Sequence, residues 1–388
     1  MKRKILFTFF GFLFLTVVFG GNVNVVKPEK KQEEIYKNLE LFIDTLKIIQ
    51  DNYVEPVDNK KLIYGALKGM LMSLDPYSAF LEPDMKKELE IETRGEFEGV
   101  GMEITLKDGI ITVVTPIEDS PAWRAGIKEG DKIIEIDGKS TKGMTTFEAA
   151  QKLRGKKGTK VSISILREGT PNLLKFTLER DVIKIKSVKP KIYNSIGYIR
   201  LSGFQENTAE DLKKALVDFK NKGIKGLILD VRNNPGGLLS EVIEVCELFL
   251  PPNKLIVYTQ GRKKEDTIRF YSKKTPVWKG PIVLLVNGGS ASASEILFGA
   301  LKDNYSNFLS IGTKTFGKGS VQNLIKLPDD SAIKLTIARY YTPKGICIEG
   351  EGITPDIEVK MEEEKPIIPT SEEDIQFKKA MEEIKKMI

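Results

Sequence analysis

The 388 residues contain no histidine. That absence removes the usual proton acceptor of serine and cysteine nucleophiles, so a Ser-His-Asp triad is excluded, as is any metal centre ligated by imidazole. Cysteine is scarce too: Cys246 and Cys347 are the only two. Cys246 sits in a helical apolar pattern, EVIEVCELFL, which favours two unpaired buried thiols over one bridge, although export would permit the bridge. No internal repeat or low-complexity tract is present, and no basic run is interleaved with aromatics. The net charge of +6 is spread over 60 basic and 54 acidic residues, which reads as a solvated mixed-charge surface and not as a nucleic-acid patch. No metal or organic cofactor is implied.

What is there is an ordinary globular composition, 41% hydrophobic and 29% charged, in a chain long enough for two or three domains with their own cores. The exception is the front. Lys2, Arg3 and Lys4 precede an apolar run over 5–19, the pattern of an export signal whose charges stay inside. Residues 1–21 are therefore expected to direct the chain across the cytoplasmic membrane to a periplasmic or extracytoplasmic location. Val18-Phe19-Gly20 is a passable cleavage site, and the run also leaves an uncleaved membrane anchor open.

Residues 281–322 carry the chemistry. PIVLLV (281–286) has the continuous apolarity of a buried strand, NGGSASASE (287–295) is a glycine-rich turn running into serines, and ILFGALKD continues as a helix. A hydroxyl at the first turn of such a helix stands beside unpaired backbone N–H groups and the positive end of the helix dipole. It still needs a base. With no imidazole in the chain, the search falls on Lys, Asp and Glu, and Lys318 in the glycine-flanked Gly317-Lys318-Gly319 loop is the best candidate. An ordinary lysine pKa of ~10.4 leaves roughly one molecule in a few thousand neutral at pH 7, so burial has to contribute about 4 kcal/mol for lysine to act as a base. A second strand-turn-helix run, GLILDV (226–231) followed by RNNPGGLLSEV (232–242), repeats the plan and lets two helix N-termini face one another.

SASASE combined with TFGKGSVQ resembles the carboxyl-terminal processing, or tail-specific, serine proteases, which use a Ser/Lys dyad. The resemblance implies Ser292, the serine just before Ala-Ser-Glu, as nucleophile, with Ser290 and Ser294 as neighbouring alternatives. It implies Lys318 as general base with Gln322 in support. The oxyanion donors would be the amide of Ala293 and that of Gly236 or Gly237, and Asp230 would orient the loop without taking protons. Lys318 follows Ser292 at one residue more than the family spacing, a residue assigned to the loop at 305–308. SLDPYSAFLEPD (73–84) resembles a structural segment of the family, with Tyr77 where histidine is common.

Between them, short alternating strands and turns fill residues 91–182. GVGMEI followed by SPAWRAGIKEGDKIIEIDG resembles a PDZ domain. Gly99, Val100 and Gly101 would form a nest for a chain-terminal carboxylate, and the strand from Met102 would take the peptide as an added strand. Arg154 matches an arginine that in related proteases couples peptide binding to the active site.

The expected organisation is thus a signal or anchor at 1–21, a helical region at 30–90, a PDZ domain at 91–182, a catalytic core at 183–360, and a linker with a last helix at 361–388. The fold class is multidomain α/β, and the resemblance implies a crotonase-like protease core carrying an inserted PDZ domain. The N-terminal helix pair could dock within the chain or on a second copy, and the single last helix on the core or on a partner, which leaves a homo-oligomer open. The expected function is that of an exported serine endopeptidase that binds proteins or peptides by their free C-terminal carboxylate and cuts nearby. The alternatives are a catalytically idle PDZ scaffold or holdase, and another amide or ester hydrolase on the same core.

Overall fold

The computed structural model describes residues 30–361 and 369–388. The expected signal or anchor lies outside the described residues, and among those described no helix is long and apolar enough to cross a membrane. The chain divides into two compact units with the boundary after Ala66.

The first unit holds α1 (Lys30–Asn52) and the start of α2 (Asn59–Met72). Ile35, Leu39 and Phe42 recur at helical spacing, yet all three remain exposed. The amide oxygen of Asn59 accepts a hydrogen bond from Gln50 at 2.7 Å, and Asp58 caps the second helix by accepting from the Lys60 amide.

In the second unit, Asp75 accepts the amides of Tyr77 and Ser78, both at 2.8 Å. That Asx turn sets the Tyr77 ring ahead of β1 (Ala79–Leu81). Helix α3 (Pro83–Arg94) starts on a proline and stops at Gly95. Then β2 (Glu96–Gly99) leads into a barrel-like module: β3 (Met102–Lys107), β4 (Ile110–Pro116), α4 (Pro121–Arg124), β5 (Lys132–Ile136), β6 (Lys139–Ser140), α5 (Thr146–Leu153), β7 (Lys160–Leu166) and β8 (Leu174–Glu179). The sheet order is β3-β4-β5-β7-β8 with β6 beside β5, so β3 is an edge strand. Ile111, Val113, Ile133, Ile136, Ala149, Val161, Ile163 and Ile165 close the module's own core. The chain leaves through β9 (Asp181–Lys184), which pairs antiparallel with β2.

The remaining elements are β10 (Val188–Tyr193), β11 (Ile196–Leu201), α6 (Thr208–Asn221), β12 (Gly226–Asp230), α7 (Leu239–Glu247), β13 (Leu255–Gln260), β14 (Ile268–Tyr271), β15 (Ile282–Val286), α8 (Ala293–Asn304), β16 (Phe308–Gly312), β17 (Ser320–Lys326), β18 (Ala332–Tyr341), β19 (Ile357–Glu358) and α9 (Ile375–Met387). They build a six-stranded sheet in the order β10-β11-β12-β15-β16-β19, parallel except for β10. A second sheet joins β1, β18, β13, β14 and β17, with β17 and β18 forming a hairpin across 327–331. Alternation along the buried strands divides the core in two. Leu227, Leu229, Val231, Leu284 and Val286 face α6, α7 and α8, whereas Ile228, Val283 and Leu285 face Phe377, Ala380 and Ile384 of α9. The last helix therefore docks on the core. Both cysteines are free thiols, but only Cys246 is buried; Cys347 is half-buried, contrary to the expectation of two buried thiols, because it lies in the loop after β18.

Candidate active site

Ser292 is the N-cap of α8 and has φ +54° and ψ −114°. A non-glycine residue there carries roughly 1–3 kcal/mol of backbone strain, which the surrounding bonds must hold. The three serines of the turn separate by environment. Ser290 is buried and donates its hydroxyl to the Val231 carbonyl at 2.8 Å; Ser294 is buried and donates to the Asn234 carbonyl at 3.0 Å. Ser292 is half-buried, and among the described residues its hydroxyl donates no hydrogen bond.

Glu295, one turn into α8 and fully buried, ties the region together. Its Oε2 accepts the backbone amides of both Ser292 and Lys318 at 2.9 Å, and its Oε1 accepts the Gly317 amide at 2.7 Å and the Thr315 hydroxyl at 2.6 Å. One carboxylate thus fixes the backbones of the serine and lysine loops, which are otherwise separate in the chain. Burial pushes its carboxyl above the usual carboxylate range, and the four donated hydrogen bonds pull against that. No role had been assigned to Glu295 from the sequence, yet the Ser-x-x-Glu spacing at a helix start was a usable signal, since a glutamate three residues on reaches back to the cap amide.

Lys318 is half-buried and its Nζ lies 5.1 Å from the centre of the Tyr77 ring. It makes no hydrogen bond to Ser292 in this conformation. Burial lowers the Lys318 amine below lysine's ordinary range and the like charge of Lys334 adds to this, while Glu349 and Glu295 oppose it. Tyr77 of the 73–84 segment thus packs on the lysine. Gln322 does not reach Lys318; its amide nitrogen donates to the Ser320 hydroxyl at 2.8 Å and, more weakly, to Thr336 at 3.4 Å.

The NPGG turn abuts the serine. A Cβ on Gly236, which has φ +107°, would lie 2.8 Å from Ser292 Cβ and 2.9 Å from the Ala291 carbonyl oxygen, so only glycine fits. The Gly236 amide already donates to the Asn234 side-chain oxygen at 2.9 Å. The amides of Gly237 and Ala293 are left with no hydrogen-bond partner among the described residues, and Gly237 is exposed. Asp230 is buried; it accepts from the Tyr198 hydroxyl at 2.8 Å and from the Arg232 amide and guanidinium. It is thus engaged in holding the turn.

In the barrel-like module an apolar groove runs between edge strand β3 and α5, lined by Phe97, Val100, Gly101, Met102, Leu153 and Arg154 among others. The carbonyls of Val100 and Gly101 are tied inward by the amides of Ala122 and Ile117 and by the Ser120 hydroxyl, so the Gly99–Met102 turn is held at the groove's end. Arg154 forms an ion pair with Glu88 of α3, and its guanidinium lies 5.1 Å from the Phe97 ring centre.

Comparison with known proteins decides the family. A carboxy-terminal-processing protease of Bartonella bacilliformis is 43% identical over 369 residues, covering 93% of this chain and 83% of that one. This chain belongs to the carboxy-terminal processing proteases. Processing protease CtpB of Bacillus subtilis is 38% identical over 366 residues, covering 89% of this chain and 76% of its own. The description Peptidase family S41 matches residues 195–359, PDZ domain matches 112–167, and the N-terminal domain of activating protease CtpB matches 18–85. The fold agrees with a solved S41-type structure from Bacteroides fragilis, at TM-score 0.53 and 18% identity over 87% of this chain and 92% of that one. The processing protease is therefore a mixed α/β protein with a PDZ domain, and its substrates are peptides.

Proposed function

We propose that this processing protease is an exported serine endopeptidase that holds the C-terminal end of a protein in its PDZ groove and cuts nearby with a Ser292/Lys318 dyad. The observation that carries the reading is the Glu295 carboxylate, bonded at once to the Ser292 and Lys318 amides, beside the one serine of the turn whose hydroxyl donates to no described residue. Neutral Lys318 takes the proton of Ser292 as Oγ attacks the scissile carbonyl, and the developing oxyanion takes hydrogen bonds from the Ala293 and Gly237 amides. Collapse of the tetrahedral state expels the amine, which receives the proton from the Lys318 ammonium. A water, deprotonated in turn by Lys318, then attacks the acyl carbonyl, and the product leaves with its new carboxyl group as Ser292 Oγ takes the proton back from the Lys318 ammonium. The resting position of Lys318 over Tyr77 means that its side chain must swing to the serine before this sequence begins, a gating step that substrate closure would supply.

Mass spectrometry of the fragments from a protein with an apolar tail tests the reading, with the tail carboxylate free or amidated. A free carboxylate is expected to raise the cutting rate about 10-fold or more, through charge-assisted hydrogen bonds to the nest. Equal cutting of both forms would discard tail recognition, and no cutting of either would favour the idle scaffold.

Arg154 lines the groove while paired with Glu88, so an incoming carboxylate competes for the same guanidinium. Glu88→Gln is expected to tighten binding of a free-acid tail several-fold by releasing the arginine, and Arg154→Ala to weaken it about 10-fold. Titration of a fluorescent tail peptide reads both, and unchanged affinities would remove Arg154 from tail recognition.

A further inference from the structure

Arg232 stands where β12 runs into the NPGG turn, and its side chain is fully buried. By the strand's alternation it falls on the α9 side, with Ile228 and Asp230, while the backbone goes on to Gly237. All five guanidinium N–H donors are taken. Nε donates to Asp230 Oδ1 at 3.0 Å, and one terminal nitrogen donates to Asp230 Oδ2 and Asp374 Oδ2, both at 2.7 Å. The other donates to Asp374 Oδ1 at 2.8 Å and to Gln376 Oε1 at 3.1 Å. Gln376 is anchored in turn by donating to the Val359 carbonyl at 2.7 Å.

Asp374 also caps α9. Its Oδ1 accepts the Phe377 amide at 2.9 Å and its Oδ2 the Thr370 amide at 3.1 Å. The docking of the last helix and the end of β12 therefore meet at one carboxylate. Two buried carboxylates, Asp230 and Asp374, face the buried Arg232 and, more distantly, the half-buried Arg200, 3.8 Å from Asp230. Asp374 and Gln376 lie beyond residues 195–359, the stretch matched to the peptidase family.

The far side of the same turn is fixed by Asn234. Its side chain donates to the Leu201 carbonyl at 2.9 Å and accepts the Gly236 amide at 2.9 Å, and its carbonyl accepts the Ala291 amide at 3.0 Å. The turn that presents Gly237 is thus held at two points, one inside the core and one supplied by the C-terminal segment.

We propose that Asp374 and Gln376 are positioning residues for the reaction: acting through Arg232, they fix the 230–237 turn and so aim the Gly237 amide at the oxyanion. This rests on the reading of Gly237 and Ala293 as the oxyanion donors. A buried guanidinium that loses one of its two carboxylates keeps its charge and seeks other acceptors, and the backbone that carries it is part of the turn, tied to Asp230 by the Arg232 amide.

The test uses the full chain. Asp374→Asn, Asp374→Glu and Ile384→Val are compared with the unaltered protein, the last as a control that loosens the α9 packing away from Arg232. Asp374→Asn is expected to lower kcat about 10- to 100-fold, less than or comparable to the loss of a whole oxyanion donor. KM and tail-peptide affinity should stay within about threefold, because the PDZ groove is untouched. Affinity for a peptide boronate or aldehyde that forms a tetrahedral adduct on Ser292 should fall by a factor similar to kcat, and Asp374→Glu should recover part of both. An unchanged kcat in Asp374→Asn, or an equal loss in Ile384→Val at matched Tm, would overturn the inference. Failure of the unaltered protein to cut or to take up the aldehyde would instead sink the dyad reading beneath it.

Discussion

Ser292→Ala and Lys318→Ala are each expected to lower turnover about 10⁴-fold or more, and the double variant no further, because a nucleophile and its base act as one unit and their losses do not add. Single-turnover cleavage of a tail-bearing peptide reads all three, and a single variant that keeps turnover within tenfold would break the dyad. Lys318→Arg should be as inactive as Lys318→Ala, since a guanidinium does not give up its proton in this pH range. Burial holds the Lys318 amine below lysine's ordinary range, and the neutral amine is the active form. Accordingly kcat/KM should climb with rising pH and level off before an exposed lysine would titrate. The same shift has a consequence for folding. A lysine whose folded pKa lies below its unfolded one binds protons less tightly in the native state, so at neutral pH its charge works against the fold. Lys318→Met should therefore raise Tm at pH 7 while abolishing turnover, and the stabilisation should fade as pH rises through the folded toward the unfolded pKa. A Tm that falls would show that the amine is better accommodated than its burial implies.

Glu295→Gln is the second large effect, an expected loss of about 10²- to 10³-fold. All four groups facing the Glu295 side chain are donors: the amides of Ser292, Gly317 and Lys318 and the Thr315 hydroxyl. A carboxylate accepts from all of them. A carboxamide offers one oxygen and must turn its NH₂ against a pair of N–H or O–H groups, so either the Ser292 and Lys318 amides or the Thr315 and Gly317 donors lose their acceptor. Each lost hydrogen bond to a charged group is worth about 1.5–3 kcal/mol, and a displacement of about 1 Å at the reacting atoms is enough for a 10²-fold loss. Activity and thermal melting should be measured together. A Glu295→Gln enzyme that melts normally and turns over within threefold of the unaltered protein would show that the two loops keep their spacing without the shared acceptor.

The strands and helices that frame the site were readable because they obey local rules. A run of five fully buried apolar residues at β15 and the glycine turns on either side announce themselves within ten residues of sequence, and the hairpin of β17 and β18 does the same. Helix α3 falls mostly inside the expected helical region of 30–90, but its own bounds were not legible: it has no buried residue, so no apolar stripe recurs along its charged KKELEIETR stretch for periodicity to detect. Contacts made by side chains far apart in sequence were equally silent. Nothing near Arg232 hints at Asp374, 142 residues on, and nothing near Tyr77 hints that its ring would lie under the Lys318 amine. Gln322 shows the converse. Its place in the TFGKGSVQ segment suggested support for the lysine, but the bulge between Val321 and Gln322 accompanies a side chain that hydrogen-bonds Ser320 and Thr336 instead.

The β2/β9 ribbon carries a consequence for how this enzyme can be rebuilt. Because the chain enters and leaves the groove-bearing module along two paired strands, with Glu96 opposite Lys184 and Gly99 opposite Asp181, the two junctions sit side by side. A splice at that ribbon can exchange one reader of chain ends for another, or close the gap with a short reverse turn, while the scissile machinery behind it keeps its covalent frame. The proposed tail recognition and the proposed cleavage thereby sit in stretches of chain that can be exchanged one at a time.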